Sequence, residues 1–246
     1  MPDAAPKIRL FVAARLGPGA DAELAAEQAH YLRNVMRCRA GDEVALFNAG
    51  DGEWRGRIES LGKGACRLRL TDRLRPARAE PGPWLVFAAV KRGPLDLMAE
   101  KACELGVAVL QPLITKRTVV ERINLARLTT IATGAAEQCG RLSVPEVRAP
   151  VELGRLIAQW PPERPLIFCD EGGEAPPLAS MATRVEAPAC AVLVGPEGGF
   201  DEAERTLLRR QAFVRPVRLG PRLLRAETAG IAALAALQAL AGDWRA

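Results

Sequence analysis

The rhythm of apolar and polar positions changes once along the chain, near residue 80. Before that point the apolar runs are short. KIRLFVAA at 7–14 reads as a strand and residues 22–33 as a short helix. GDEVALFNAGDGEWRGRIESLGKGACRLRLTDRL at 41–74 divides into three partly alternating segments, cut by glycine-rich turns at Ala49–Gly52 and Gly62–Gly64. A period of two sends apolar side chains to one face of a pleated strand, so this stretch predicts a small antiparallel barrel or sheet. RPARAEPGP at 75–83 has three prolines, one glycine and no apolar period, the composition of an extended connector.

Beyond the connector the apolar runs are uninterrupted. LVFAAV (85–90), VAVLQPLI (107–114), PLIFCDE (165–171) and ACAVLVG (189–195) read as strands. Between them lie amphipathic stretches, among them PLDLMAEKACELG (94–106) and a long helical stretch reaching about residue 140. Near-continuous apolar strands alternating with helices predict an α/β fold with a parallel sheet covered on both faces. DEAERTLLRRQ (201–211) reads as a helix with Asp201 as N-cap and acidic residues in its first turn, where they suit the helix dipole. TAGIAALAALQALAG (228–242) carries no charge and only Gln238 as a bulky polar residue, so this last helix is expected to be buried on more than one side. The expected organisation is a small β-barrel domain over residues 1–75, a linker at 76–83 and an α/β domain over 84–246.

Composition narrows the function classes. At 246 residues, with 49% of them hydrophobic, the chain can bury a sizeable core. A formal charge of +5 and a pI near 9.1 favour contact with a polyanion, because basic side chains that neutralise phosphates release condensed counterions. All but five of the 34 basic residues are Arg, which a coding bias explains as readily as a need for guanidinium groups. Cys38, Cys66, Cys103, Cys139, Cys169 and Cys190 form no C-x-x-C pair, and His30 is the single histidine, so neither a metal site nor a disulfide framework is expected. MPDAAPKIRLFVAAR lacks the pattern of a secretory signal, and no run reaches the roughly 18 apolar residues of a membrane span. A cytoplasmic protein without membrane association is expected.

Three segments carry candidate chemistry. In LVGPEGGF (193–200) an apolar strand runs into a glycine-rich turn before a capped helix, which lets backbone groups approach a ligand closely. LGPRLLRAETAG (219–230) again links strand to helix, with Arg222, Arg225 and Glu227 placed to recognise or activate a polar substrate; a solvated loop is the competing reading. AEKACELGV (99–107) is better explained as a solvated helix face with Gly106 as its C-cap. Residues 63–78 hold Lys63, Arg67, Arg69, Arg73, Arg75 and Arg78 against Asp72. On a strand Arg67, Arg69 and Arg73 would share one face that tracks an RNA backbone, or be an ordinary solvated edge. No nucleotide-binding G-x-G-x-x-G opens the first βα unit, and no phosphate-binding loop or nucleophile elbow occurs.

Taken in order and spacing, AHYLRNVMRCRAGDEVALFNAGDGEWRGRI, KRGPLDLMAEKACELGV, PLITKRTVV, GAAEQCGRLSVPEV, LVGPEGGF and LGPRLLRAETA resemble the bacterial family that methylates N3 of a uridine in 16S ribosomal RNA. That family belongs to the SPOUT superfamily of knotted methyltransferases, and the resemblance runs from about residue 7 to residue 240. It implies an N-terminal PUA-like barrel, a C-terminal α/β domain threaded as a trefoil knot, a homodimer, and rRNA in the small ribosomal subunit as substrate. It also implies S-adenosyl-L-methionine as cofactor, held by Leu193, Gly195, Pro196, Glu197 and Gly198 on one side. Leu219, Gly220, Arg222, Leu224 and Arg225 would form the other wall. Uracil N3 carries a proton and is a poor nucleophile until that proton leaves, so an anion stabiliser and a base are needed. Arg225 is assigned to the anion, and Glu227 to positioning or deprotonating the base, directly or through water. His30, Arg33 and Arg37 join the β-strand arginines as expected RNA contacts, and Glu137, Gln138 and Arg141 are weaker candidates for RNA or a partner subunit, with a purely structural role as the alternative their helical spacing permits. Tyr31 stands where many relatives carry a second His or a Leu, and residues 172–188 match no family motif. A ribose 2′-oxygen methyltransferase and a non-catalytic ribosome assembly factor are the competing functions.

Overall fold

In the computed structural model, which describes residues 5–89, 92–118, 122–172, 175–182 and 185–245, the chain divides into two units. The first takes the chain up to Glu80 together with Ala136–Val144; the second takes Pro81–Ala135 and Pro145–Ala246. Lys91 of KRGPLD, and Val119 and Val120 of PLITKRTVV, lie outside the described residues.

The first unit is built on β1 (Arg9–Phe11), β2 (Asp21–Leu24), β3 (Glu43–Asn48), β4 (Gly52–Leu61) and β5 (Cys66–Arg75). They form one sheet in the order β1-β3-β4-β5-β2, with β1 parallel to β3 and the other pairs antiparallel. Leu46, Ile58, Leu68 and Leu70 fill its core with Leu32 of the helical segment. Residues 22–33, expected as one helix, instead begin as strand. Ala22 and Leu24 turn inward, while Asp21 and Glu23 face out opposite Arg69 and Arg67 of β5. Cross-strand charge pairing at the sheet edge outweighs the weak helical propensity of four residues. Only Ala26–His30 (α1) is α-helical, and Tyr31–Val35 continues as a wider π-helical turn that ends at Arg37 with a left-handed φ of 57°.

The segment that returns to this unit, the end of the helix Leu125–Cys139 and the residues after it, is bound by Arg9. Its guanidinium donates to the carbonyls of Ala136 (3.0 Å), Glu137 (2.8 Å) and Arg141 (2.9 Å), pairs with Glu53 at 2.5 Å, and lies 4.2 Å over the Phe47 ring. Helix C-termini leave carbonyls without intrahelical partners, and one planar guanidinium satisfies several here. Glu137 accepts the Phe11 N–H at 3.0 Å, and burial pushes its carboxyl pKa up. Arg141 donates to Ser143 and lies 3.8 Å from Glu80. Glu137 and Arg141 are thus engaged within the unit.

The second unit is the α/β layer. Its strands are β6 (Trp84–Ala88), β7 (Val109–Ile114), β8 (Glu146–Val147), β9 (Val151–Glu152), β10 (Leu166–Cys169), β11 (Ala191–Val194) and β12 (Val214–Val217). The order is β12-β10-β11-β6-β7-β8, with β9 also on β7, and every pair is parallel. Parallel neighbours need crossovers. These include α2 (Arg92–Glu104), α3 (Leu125–Cys139), α4 (Leu153–Ala158), α5 (Leu178–Ala182) and α6 (Glu202–Arg209). The last helix, α7 (Ala226–Ala241), closes the unit by packing on α2, α5, β6 and β11. On α2 the buried Leu95, Met98, Ala99, Ala102 and Cys103 follow the i, i+3, i+4, i+7, i+8 stripe of a helix lying on a sheet. Among the described residues no helix is long and apolar enough to cross a membrane.

Candidate functional site

Three adjacent parallel strands, β12, β10 and β11, end on the same side of the second unit, and the loops that follow them surround a cavity of about 780 Å³. The carboxyl ends of parallel strands are where open α/β sheets bind ligands, and the volume falls in the range of small-molecule sites, roughly 300–1,000 Å³.

The loop after β11 is GPEGGF. Gly195 sits beneath Phe200, where an added Cβ would come within 2.8 Å of the ring. Phe200 in turn meets Phe168 of β10 edge to face, ring centroids 5.3 Å apart. The absent side chain at Gly195 therefore lets the loop fold flat onto the strand end. Gly199 holds φ at +68°, a conformation that side-chain-bearing residues rarely adopt, with the Glu171 carboxylate directly over it. The loop then enters α6 through a capping box, as the acidic first turn predicts: Asp201 accepts the Glu204 N–H at 2.7 Å and Glu204 accepts the Asp201 N–H at 3.0 Å.

The short loop after β10 is the wall that the sequence reading missed. Asp170 is only 3% exposed, and it accepts from Arg209 at 2.6 Å and from the Gly172 N–H at 3.0 Å, with Arg205 at 3.5 Å. Arg205 also donates to Glu171 at 3.1 Å. A buried carboxylate needs such partners, and these two arginines tie α6 to the end of β10. Cys169 borders the same cavity, but burial pushes its thiol up to about 12, so at neutral pH it is a thiol and no nucleophile.

The third wall is the loop 218–225. Gly220 has φ +102°, and Arg225 starts α7 with its carbonyl accepting the Ala229 N–H at 2.8 Å. The side chains of Arg222, Arg225 and Glu227 have no hydrogen-bond or ion-pair partner among the described residues. The backbone of Arg225 is thus fixed while its guanidinium remains available beside the positive end of a helix.

Of the expected cofactor residues, Gly195, Pro196, Glu197, Leu219, Gly220, Arg222, Leu224 and Arg225 line this one cavity. Two stand off it. Leu193 lies inside β11 with its side chain wholly buried in the core, so it packs the root of the loop instead of facing the cavity. Gly198 turns its carbonyl away to Arg117, which donates to it at 2.6 Å. Glu227 lies half-buried in the first turn of α7, just beyond the lining residue Ala226. Phe168, Asp170, Glu171, Arg205 and Leu223 line the cavity without having been singled out from the sequence. The one available signal was the acidic pair that ends PLIFCDE.

The expected RNA contacts lie in the first unit. Arg67 and Arg69 share the exposed face of β5, yet neither stands alone. Arg67 pairs with Asp21 and lies 3.7 Å from Glu59; Arg69 lies 2.9 Å from Asp21 and 3.3 Å from Glu59. The hydrogen bond from Arg67 holds the Asp21 carboxyl below its usual range. Arg73 does not share that face. A register shift between Trp54 and Gly56 puts one extra residue into β5, so Arg73 pairs across from Trp54 and its guanidinium lies 6.0 Å over the indole. A bulge reverses the alternation on which the one-face expectation rested. His30, Arg33 and Arg37 are exposed around the π-helical turn, with His30 Nδ1 bonded to Asn34 at 2.8 Å.

A family model described as RNA methyltransferase domain matches residues 80–238, and one described as RNA methyltransferase PUA domain matches residues 24–71. The ribosomal RNA small subunit methyltransferase E of Rickettsia conorii is 30% identical over 234 residues, 94% of this chain and 95% of that protein. A Legionella pneumophila protein solved in complex with the bound cofactor SAM is similar with a TM-score of 0.86 and 33% identity, over 96% of this chain and 98% of that one. The ribosomal RNA small subunit methyltransferase E of Neisseria gonorrhoeae, bound to S-adenosyl methionine, gives 0.85 and 28% over 96% and 99%. With a PUA-like unit before a parallel α/β unit and matches along nearly its whole length, the chain belongs to the ribosomal RNA small subunit methyltransferase E family.

Proposed function

We propose that the cavity holds S-adenosylmethionine and that the protein methylates N3 of a uridine in 16S ribosomal RNA of the small subunit, in the cytoplasm. The observation that carries this reading is the meeting of GPEGGF and LGPRLLRAET across one cavity, with the Arg225 guanidinium at its lining and without a partner among the described residues. The donor set fits the cofactor. Leu219 and Leu224 offer apolar contact to an adenine, and the glycine loop offers backbone donors and acceptors to its edge. Glu171 and Glu197 are carboxylates for cationic groups, and Arg222 is a guanidinium for a carboxylate.

When bound, S-adenosylmethionine supplies a methyl group activated by its sulfonium and open to in-line attack. The remaining chemistry belongs to the chain. Arg225, with the positive end of α7 behind it, stabilises the negative charge that spreads over the uracil oxygens as N3 loses its proton. Glu227, in the first turn of α7, accepts that proton directly or through a water. Leu193 supports the loop from the core, and Gly198 holds its outer edge.

Three further features complete the proposal. The α/β unit is threaded as a trefoil knot in this reading, which is supported by the return of the chain after the edge strand β12 to pack α7 on the central strands β11 and β6. Ile231, Ala235 and Leu240 stay only half-buried on an otherwise apolar helix, a surface suited to a second copy of the chain. The PUA-like unit meets RNA through His30, Arg33, Arg37 and the β5 arginines. Methyl transfer from labelled S-adenosylmethionine to small-subunit particles lacking the modification, followed by nucleoside analysis, tests the whole reading. N3-methyluridine is expected; a ribose-methylated product would redirect the chemistry, and absence of transfer with intact cofactor binding would overturn the assigned substrate.

A further inference from the structure

The loop after β7, Thr115–Thr118, belongs to PLITKRTVV and adds nothing to the cavity wall, yet it makes three contacts, one with the glycine loop and two with the start of α6 that follows it. The Lys116 N–H donates to Glu204 at 2.9 Å, Lys116 Nζ lies 2.7 Å from Asp201, and Arg117 Nη1 donates to the Gly198 carbonyl at 2.6 Å. Glu204 is buried, and its second oxygen closes the capping box of α6. One carboxylate therefore joins the helix start to the neighbouring loop. The Lys116 hydrogen bond holds the Asp201 carboxyl below its usual range, so the pair stays charged at neutral pH.

The third contact bears on the pocket. Arg117 lays its stem along Gly198, its Cδ 3.6 Å from where a Cβ would stand. The Gly198–Gly199 peptide is held at both ends: its carbonyl by Arg117, and its N–H by the Pro196 carbonyl at 2.8 Å. Two consecutive glycines offer little steric resistance to rotation of the peptide between them. Such a flip would release the Pro196 carbonyl and open the turn that carries Glu197, and both Pro196 and Glu197 line the cavity.

We propose that Arg117 is a positioning residue for cofactor binding, holding the Gly198–Gly199 peptide so that Pro196 and Glu197 form a fixed wall of the pocket. The inference rests on the reading of that pocket as the S-adenosylmethionine site. It acts on affinity and leaves the chemical step to other residues.

Calorimetric titration of the full-length protein and of R117A and R117K with S-adenosylmethionine tests it, alongside single-turnover methyl transfer at saturating cofactor and thermal unfolding. Loss of a charge-assisted hydrogen bond predicts about tenfold weaker binding for R117A. R117K, which keeps one donor, should recover part of the loss. Transfer at saturation should stay within about threefold, and the midpoint of unfolding within about 2 °C. R117A binding within about twofold of the parent protein would overturn the proposal, as would an R117K no better than R117A with a lowered unfolding midpoint. An R117A defect confined to RNA affinity would overturn it too. Failure of the parent protein to bind the cofactor would instead remove the pocket reading itself.

Discussion

Arginine occurs in two different situations in this molecule. On β5, Arg67 and Arg69 stand in the open, but each meets the carboxylates of Asp21 and Glu59, so much of their charge is answered within the fold. In the loop after β12, Arg222 and Arg225 have no such partners among the described residues. The denser basic run in the sequence is therefore the less available one. What matters for a ligand is charge left uncompensated at a cavity, because a guanidinium already paired must give up that partner before it can serve another.

The sharpest way to break this contrast is R225A. If the unpaired guanidinium stabilises the uracil anion, single-turnover transfer at saturating cofactor falls by about 10²–10³-fold. R69A touches RNA affinity only, so with RNA also saturating it should leave that rate unchanged, and equal rates for the two variants would end the distinction. G195A is expected next in size. Its Cβ would stand 2.8 Å from the Phe200 ring, and overpacking of this kind costs about 1–3 kcal/mol, read from denaturant unfolding together with weaker cofactor binding. A milder test works in the opposite direction. D21N combined with E59Q removes the internal partners of Arg67 and Arg69, so RNA affinity should rise a few-fold at low salt with a steeper salt dependence. Unchanged RNA affinity would show that this face of β5 does not meet the nucleic acid. The smallest effect concerns pH. The folded pKa of Asp21 is depressed, so its contribution is present above the ordinary value of 3.8 and is lost as pH falls through the lower folded value. A slight fall in the unfolding midpoint below about pH 4, absent in D21N, is the expected result.

The parts of this structure legible in the sequence are those where one physical demand governs many residues. Strands β6, β7, β10 and β11 are buried on both faces, and so read as unbroken apolar runs. The glycine loop and the arginine loop stood out because their residue types are unusual between a strand and a helix. Short or compensated features were not legible. The four residues of β2 are strand only because β5 lies beside them, and a bulge in β5 turns Arg73 away from the face that simple alternation assigns it. β8 and β9, two residues each, carry no pattern. The Asp170–Glu171 wall was hidden for a different reason. Its partners, Arg205 and Arg209, come from a helix some 35 residues further on, and no spacing rule links them.

The contacts of Arg9 with the carbonyls of Ala136, Glu137 and Arg141 have a consequence for how the protein is made. The first unit is not a contiguous stretch of chain: its last piece, Ala136–Val144, is synthesised only after the Pro81–Ala135 part of the second unit. A nascent chain halted at Glu80 would hold the five strands of the sheet but not the carbonyls that Arg9 binds or the Glu137 carboxylate that receives the Phe11 N–H. The N-terminal unit therefore reaches its finished form only once the ribosome has delivered residue 144, and transplanting it as an 80-residue module would carry away an incomplete fold.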